Sequence, residues 1–411
     1  MQHLFIVDQC HKWQFLLPHF FKEVIYIMKE LYLDNAATTP VRQEVIKAME
    51  SCWTEIYGNA SSIYELGVKS RDKMEESRSA FAEIFHCSPS EIYFTSGGTE
   101  SNNWAIKGIA FENKHRGMHI ITSVIEHPSV MNSCAFLESL GFRITYIPVD
   151  RNGHINFDKL KKAISKDTIL ISIMAANNEV GTLQPIKEIS EISLENSIYF
   201  HTDAVQLFCK KPINLAELPG VDLLSISSHK FNGPKGVGVL FIREGTRISS
   251  FMHGGSQEKG LRAGTENIPG IIGMAKAAEL WQYEIDERET RIQTTVAEFL
   301  SLLKKEIPFC KINSDTDSLS TGIVNVTFPG INALLLLSLL DAENVYVSNG
   351  SACSCKKNIG SKTLIAMGRS TEESKSSIRF SFGCNNTPND AHEVIEVLKD
   401  KLYRINQFKK T

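Results

Sequence analysis

The chain has 411 residues, of which 42% are apolar, and 44 Lys and Arg against 47 Asp and Glu leave a formal charge of −3. That length implies roughly two to three domains, and a core of such size needs neither disulfide nor metal to hold it. The near balance of charge provides no basic field for nucleic acid and no acidic tail, which excludes polyanion binding as the main task.

The apolar stretch at 13–21 is broken by Gln14, Pro18 and His19 and is far too short to span a membrane. Residues 1–27 show neither the basic start and small-residue cleavage site of a signal peptide nor the arginines of a transit peptide. Met28-Lys29-Glu30 leads straight into the strand-like LYLDN, so Met28 is the expected start and 1–27 a doubtful extension.

Short β-branched and apolar runs then recur at 91–95, 119–125, 143–149, 168–174, 197–202, 222–227 and 237–242. Helical segments such as 101–110 and 130–140 lie between most of them, and this alternation predicts a parallel sheet covered on both faces. Only residues 228–236 separate the last two strands, too few for a parallel crossover of a dozen or more residues. The strand at 237–242 is therefore expected to run antiparallel, giving a seven-stranded mixed, mostly parallel sheet.

After Met274 the pattern changes. A charged helical run at 277–305, strand candidates at 321–328, 344–349 and 376–383, and an amphipathic helix near 390–402 predict a smaller α+β domain. The fold class is thus α/β, with a large domain at 41–288 and a small one built from 28–40 and 289–411. Nine cysteines without a CxxC pair read as reduced, intracellular thiols, most of them small buried hydrophobes.

Ligands in open α/β sheets bind beyond the carboxyl ends of the strands. There the chain carries Gly98 and Thr99 in SGGTESNN, His127 in IEHPSV, Asn178 in AANNEVG, Asp203 and Gln206 in HTDAVQ, and Ser227, His229 and Lys230 in SSHKFNGPKG. Taken singly, each has an ordinary explanation: a helix start, a structural histidine, a helix cap, a surface lysine. Five strand ends with such chemistry point instead to one small molecule. Pyridoxal phosphate uses a phosphate cradle at a Gly-rich helix start, a lysine for the Schiff base and an acid opposite the pyridinium nitrogen.

These motifs resemble those of the fold-type I, class V aminotransferase group of pyridoxal-phosphate enzymes. With LDNAATTP (33–40), YGNASS (57–62), HGGSQEKGLRAGTEN (253–267), SNGSACS (348–354) and SIRFSFG (377–383), the chain resembles cysteine desulfurases of the NifS/IscS type from about Leu31 to near its C-terminus. The resemblance implies pyridoxal 5′-phosphate as cofactor, Lys230 as its Schiff-base lysine and Asp203 as the pyridinium partner. It further implies Gln206 on the phenolic oxygen, His127 stacked on the ring, and Gly98, Thr99, Ser227 and His229 on the phosphate. Thr265 would reach that phosphate from the partner subunit, which implies a homodimer. Asn178 and Arg379, with Asn35 near them, would bind the substrate carboxylate, and arginine's fork suits that task.

Cys353 in GSACS would be the nucleophile, its thiolate favoured by Lys356 and Lys357. Cys355 would relay sulfur or merely sit beside it. No resident metal is implied; Cys353 would ligate an iron–sulfur cluster only transiently. The resemblance implies sulfur taken from L-cysteine, L-alanine released, and a Cys353 persulfide passed to an iron–sulfur scaffold protein or an RNA-thiolation partner, in the cytoplasm and with no membrane or direct nucleic-acid role. The span from Ser354 to Lys362 resembles the long-loop branch of the family. A selenocysteine lyase or another class V aminotransferase would share Lys230 and Asp203 without needing Cys353, and a chain that kept only scaffold binding would have lost part of the cofactor set.

Overall fold

β-branched runs, each fenced by turns, lay out the scaffold. The computed structural model describes residues 29–316, 319–350 and 360–408, and the expected start at Met28 and the segment 1–27 lie outside them. In chain order the first part runs β1 (Leu31–Tyr32), α1 (Gln43–Glu50), α2 (Glu65–Phe85), β2 (Ile92–Thr95), α3 (Gly98–Glu112), β3 (His119–Ser123), α4 (Pro128–Ser139) and β4 (Arg143–Ile147). It continues through α5 (Phe157–Ala163), β5 (Thr168–Ser172), α6 (Ile186–Glu195), β6 (Tyr199–Asp203), β7 (Leu223–Ser227) and β8 (Gly238–Ile242). The rest is α7 (Ile268–Glu306), β9 (Lys311–Ile312), β10 (Ile323–Thr327), α8 (Ala333–Asp341), β11 (Val345–Tyr346), α9 (Lys362–Ala366), α10 (Thr371–Lys375), β12 (Ser377–Ser381) and α11 (Pro388–Phe408).

Seven strands form one sheet in the order β2-β8-β7-β6-β5-β3-β4. β8 is antiparallel to both β7 and β2, while every other pair is parallel. β2 therefore runs in the same sense as β7, and six carboxyl ends share one edge. The short link between β7 and β8 imposes the expected reversal. Strands β3, β5, β7 and β8 are buried at every position, whereas edge strand β4 begins exposed.

Side chains of a strand alternate between faces, and the sheet shows it directly. Ile120, Leu170, Leu223 and Leu240 join Trp104 and Ile109 of α3 and Leu137 of α4 in one apolar cluster. Their neighbours Ile121, Ile171, Leu224 and Phe241 join Phe81 and Phe85 of α2 and Met274 of α7 in another. On this second face Phe208 packs on Phe85 and on Phe231 with ring centroids 5.2 and 4.9 Å apart. Phe231 directly follows Lys230, so the aromatic stack anchors the turn that carries it.

A three-stranded sheet, β12-β10-β9, and a parallel pair, β1-β11, complete the unit Leu31–Thr411. Bridges between Asp34 and Ser381 and between Ser348 and Arg379 stitch these two together. The strand expected at 344–349 shrinks to Val345–Tyr346, because Asn344 takes a left-handed φ of 57° and Ser348 leaves to pair with Arg379. The helix expected at 277–305 starts earlier, at Ile268, where the Asn267 side chain accepts from the Gly270 amide and Pro269 occupies the first turn. This one helix runs through the boundary expected at 288–289. Among the described residues no helix is long and apolar enough to cross a membrane.

Truncating the centre of the aromatic stack, Phe208→Ala, should cost about 3–5 kcal/mol, seen as a lower urea midpoint at unchanged slope. An unchanged midpoint would show that the stack carries no weight.

Candidate active site

The carboxyl edge of the seven-stranded sheet opens into a cavity of about 530 Å³. Gly98, Thr99, His127, Asn178, Asp203, Gln206, Ser227, His229, Lys230 and Arg379 all line it.

Lys230 ends the single helical turn after β7. Its Nζ donates to the carbonyls of Ala36 and Ala37 at 2.6 and 2.7 Å. The loop after β1 is held over the lysine by the Thr39 amide and hydroxyl, which both donate to the His229 carbonyl. His229 Nδ1 lies 3.1 Å from the Thr38 hydroxyl. Burial pushes the Lys230 ammonium down to about 8, reinforced by Arg379 and opposed by Asp34 and Asp203.

Asp203 closes β6 and is oriented from two sides. Its Oδ2 accepts from Asn102 Nδ2 at 2.6 Å, and its Oδ1 accepts from the Val205 amide at 3.0 Å. Asn102 Nδ2 also donates to Ser129 Oγ, which lies 2.8 Å from His127 Nδ1. Because that nitrogen also accepts from the Ser129 amide, capping α4, a neutral His127 ring keeps its proton on Nε2. Burial lowers the pKa of His127, with Lys230 adding to the effect and Asp203 opposing it. Gln206 Nε2 donates to the Ala36 carbonyl at 2.9 Å, and Lys210 donates to its Oε1.

The amino end of α3 supplies amides with no partner inside the helix. Gly97, which precedes it, has a φ of 143°, and a Cβ on Gly98 would stand 2.7 Å from Val205 Cγ2. Glycine is required at both positions. Glu100 in the first turn accepts from the Ser96 amide and takes Arg262 in a bidentate pair at 2.7 and 3.0 Å. Burial raises its pKa, but the hydrogen bonds from Arg262 and Ser96 outweigh that and hold it below the usual range.

Arg379, on β12, is 3% exposed. Its guanidinium pairs with Asp34 Oδ1 at 2.6 Å and donates to the Asn178 carbonyl at 2.8 Å. Its Nε is buried without a partner. Asn177 fixes the turn that presents Asn178, its Oδ1 accepting from the amides of Glu179 and Val180.

Asn35 does not line the cavity, and neither does Thr265, which is expected to act on the cofactor of a partner subunit rather than its own. Asn35 is a turn residue: its Nδ2 donates to the Ser381 carbonyl at 2.8 Å and to Asn386 Oδ1, while its neighbours Ala36 and Ala37 face the lysine. Thr265 is exposed and lines a separate cavity with Arg262 and Asn267. Cys353, Cys355, Lys356 and Lys357 lie outside the described residues. Sequence reasoning overlooked Asp34, Asn102 and Ser129. Asn102 sat in plain view, one helical turn beyond Gly98 and so on the same face of α3.

A family model described as aminotransferase class-V matches residues 31–394. A protein named cysteine desulfurase IscS from Methanosarcina thermophila is 49% identical over 380 residues, 92% of this chain and 94% of that one. One of the same name from Dictyoglomus turgidum is 49% identical over 384 residues, 93% and 97% of the two chains. Among solved structures, a NifS-like protein superposes with a TM-score of 0.86 at 37% identity, covering 91% of this chain and all of the other. SspA in complex with cysteine superposes at 0.77 and 36% identity, covering 86% of this chain and 99% of the other. With cavity, motifs and relatives in agreement over the same span, the chain belongs to the aminotransferase class-V family, among the cysteine desulfurases of the NifS/IscS type.

Proposed function

We propose that this chain is a pyridoxal-5′-phosphate-dependent cysteine desulfurase that releases L-alanine from L-cysteine and holds the sulfur as a Cys353 persulfide for iron–sulfur cluster assembly or RNA thiolation. The observation that carries the reading is the convergence of Lys230, Asp203 and Arg379 on one cavity.

The residues present fit the cofactor. Asp203 is a carboxylate steered by two donors, Gly98 leaves backbone amides bare at a helix start, and Lys230 is easily neutralised. Lys230 would hold the cofactor covalently, with Asp203 opposite the ring nitrogen, Gln206 on the phenolic oxygen and His127 over the ring. Gly98, Thr99, Ser227 and His229 would take the phosphate, together with Thr265 of a second copy. Once bound, the cofactor supplies an electron sink conjugated to the substrate's α-carbon.

The chain's own groups supply the rest. Arg379, already steered by Asp34, would take the substrate carboxylate, and Asn178 lines the same cavity. Lys230, as a neutral amine, would take the Cα proton, and His127 would hold a second proton at Nε2. The Cys353 thiolate attacks the substrate Sγ. An S–S bond forms, the Sγ–Cβ bond breaks, and its electron pair is taken up with a proton at Cβ as alanine. No external oxidant is needed.

The division into a cofactor domain at 41–288 and a second domain of 28–40 and 289–411 carrying the Cys353 loop remains part of this proposal. So do the cytoplasmic setting and the homodimer. Trp53, Tyr57, Ile63 and Tyr64 crowd large apolar surface into one short stretch, Ile63 being 95% exposed, and a second copy of this chain would cover it.

Cys353→Ala should keep the visible absorbance of the bound cofactor and lose sulfide release from L-cysteine; full activity in that variant would overturn the assignment. Capture of pyridoxal phosphate by the apoenzyme requires the neutral Lys230 amine. Since its pKa is lowered from 10.5 to about 8, the capture rate should climb as pH rises and level off above about 8. A plateau reached only near pH 10.5 would contradict the depressed amine. Sedimentation should give a dimer that the double change Ile63→Asp and Tyr64→Asp shifts to monomer; a monomeric wild-type chain would remove the dimer from the proposal.

A further inference from the structure

We propose that Glu179 is a positioning residue for sulfur transfer, joining both flanks of the Cys353 segment to the turn that presents Asn178. The proposal rests on the desulfurase reading above.

Glu179 is 6% exposed and follows Asn178 in the turn after β5. Its backbone is held at both ends. The amide donates to Asn177 Oδ1 at 2.8 Å, and the carbonyl accepts from Asn325 Nδ2 of β10 at 3.3 Å. Its side chain is shut off from solvent and forms no ion pair among the described residues, although the Arg379 cation acts on it from nearby. Oε2 accepts from Ser361 Oγ at 2.5 Å, and Ser361 Oγ in turn accepts from the Leu364 amide to cap α9. That is the C-terminal flank of the segment.

The N-terminal flank meets the same oxygen. Gly350 has a φ of +127°, and a Cβ built on it would stand 3.0 Å from Glu179 Oε2 and 3.8 Å from Ser361 Cβ. Just before it, Ser348 exchanges backbone hydrogen bonds with Arg379, and its hydroxyl donates to the Gly350 carbonyl at 2.9 Å. One carboxylate thus stands where the chain enters the segment and where it leaves. Through the Asn178 carbonyl it also sits one residue from the guanidinium expected to hold the substrate.

A buried acid is a costly way to fill space, since burial alone favours an apolar side chain of the same size. Burial raises the pKa of Glu179, countered by the Ser361 hydrogen bond, by Arg379 and by Thr363. The contact the side chain makes, a hydrogen bond from the Ser361 hydroxyl, calls for an acceptor in that place. Glutamine, which keeps an acceptor oxygen in the same place, should therefore substitute for it, and alanine should not.

The two halves of the reaction can be read separately in the holoenzyme. Exchange of the L-alanine Cα hydrogen with D₂O reads proton transfer at Lys230 without Cys353. Trapping and mass spectrometry of the Cys353 persulfide after adding L-cysteine reads sulfur transfer. Glu179→Ala should slow persulfide formation by about tenfold or more while leaving Cα exchange within about twofold, and Glu179→Gln should stay near wild type in both. Ser361→Ala, which deletes a single hydroxyl, should repeat the Glu179→Ala split and decides the matter if Glu179→Ala does not fold. Persulfide formation at the wild-type rate in both alanine variants, or a parallel fall in both readouts, would overturn the proposal. Absence of persulfide in the wild-type chain would overturn the desulfurase reading itself, and this proposal with it.

Discussion

A guanidinium almost closed off from water must have its donors taken, or its burial is prohibitive. Arg379 meets that condition at two of its three nitrogens, through Asp34 and the Asn178 carbonyl, with Nε alone left without a partner, and the site is arranged around it. The pairing draws the loop after β1 and the turn after β5 onto β12. With Asp34 held, the next carbonyls, Ala36 and Ala37, fall onto Lys230. Gln206 takes the same Ala36 carbonyl, which aligns the end of β6 with the end of β7. Loss of this one cation's partners would loosen four chain segments together.

The charges inside the cavity also divide their work. Asp34 serves Arg379, and Asp203 is held by amide donors rather than by a cation. Lys230 has only carbonyls as partners, so nothing offsets its burial with a full negative charge in contact. Its amine is thereby the more easily neutralised, and Asp203, held by amides alone, suits the role proposed for it beside a ring nitrogen. Had Asp203 paired with Lys230 directly, both functions would have been lost to a mutual salt bridge.

Much of this was legible in the residues because it follows from counting. The short link at 228–236 sufficed to reverse β8, and reactive side chains at successive strand ends marked the cavity edge. What escaped depends on three-dimensional register. Asn35 and Asp34 are adjacent, yet a bridge from Asp34 to Ser381 sends the aspartate to Arg379 and the asparagine to the opposite side. Asn102 reaches Asp203 across the gap between α3 and β6, a contact that no local spacing announces. Glu179 reads as a solvated loop acid in NNEV until Ser361, far along the chain, is seen to cover it. The start of α7 was missed for a simpler reason: its cap lies in a glycine-rich stretch that looks like loop.

Asp34 and Arg379 stand 345 positions apart, and β1 pairs with β11 across a similar distance. A ribosome delivers the first of these partners early and the second only as synthesis nears its end. Until then the seven-stranded sheet, complete by Ile242, has its lysine in place but lacks the cation that gathers the loops above it. A nascent chain thus cannot gather these loops around Lys230 before it is nearly whole.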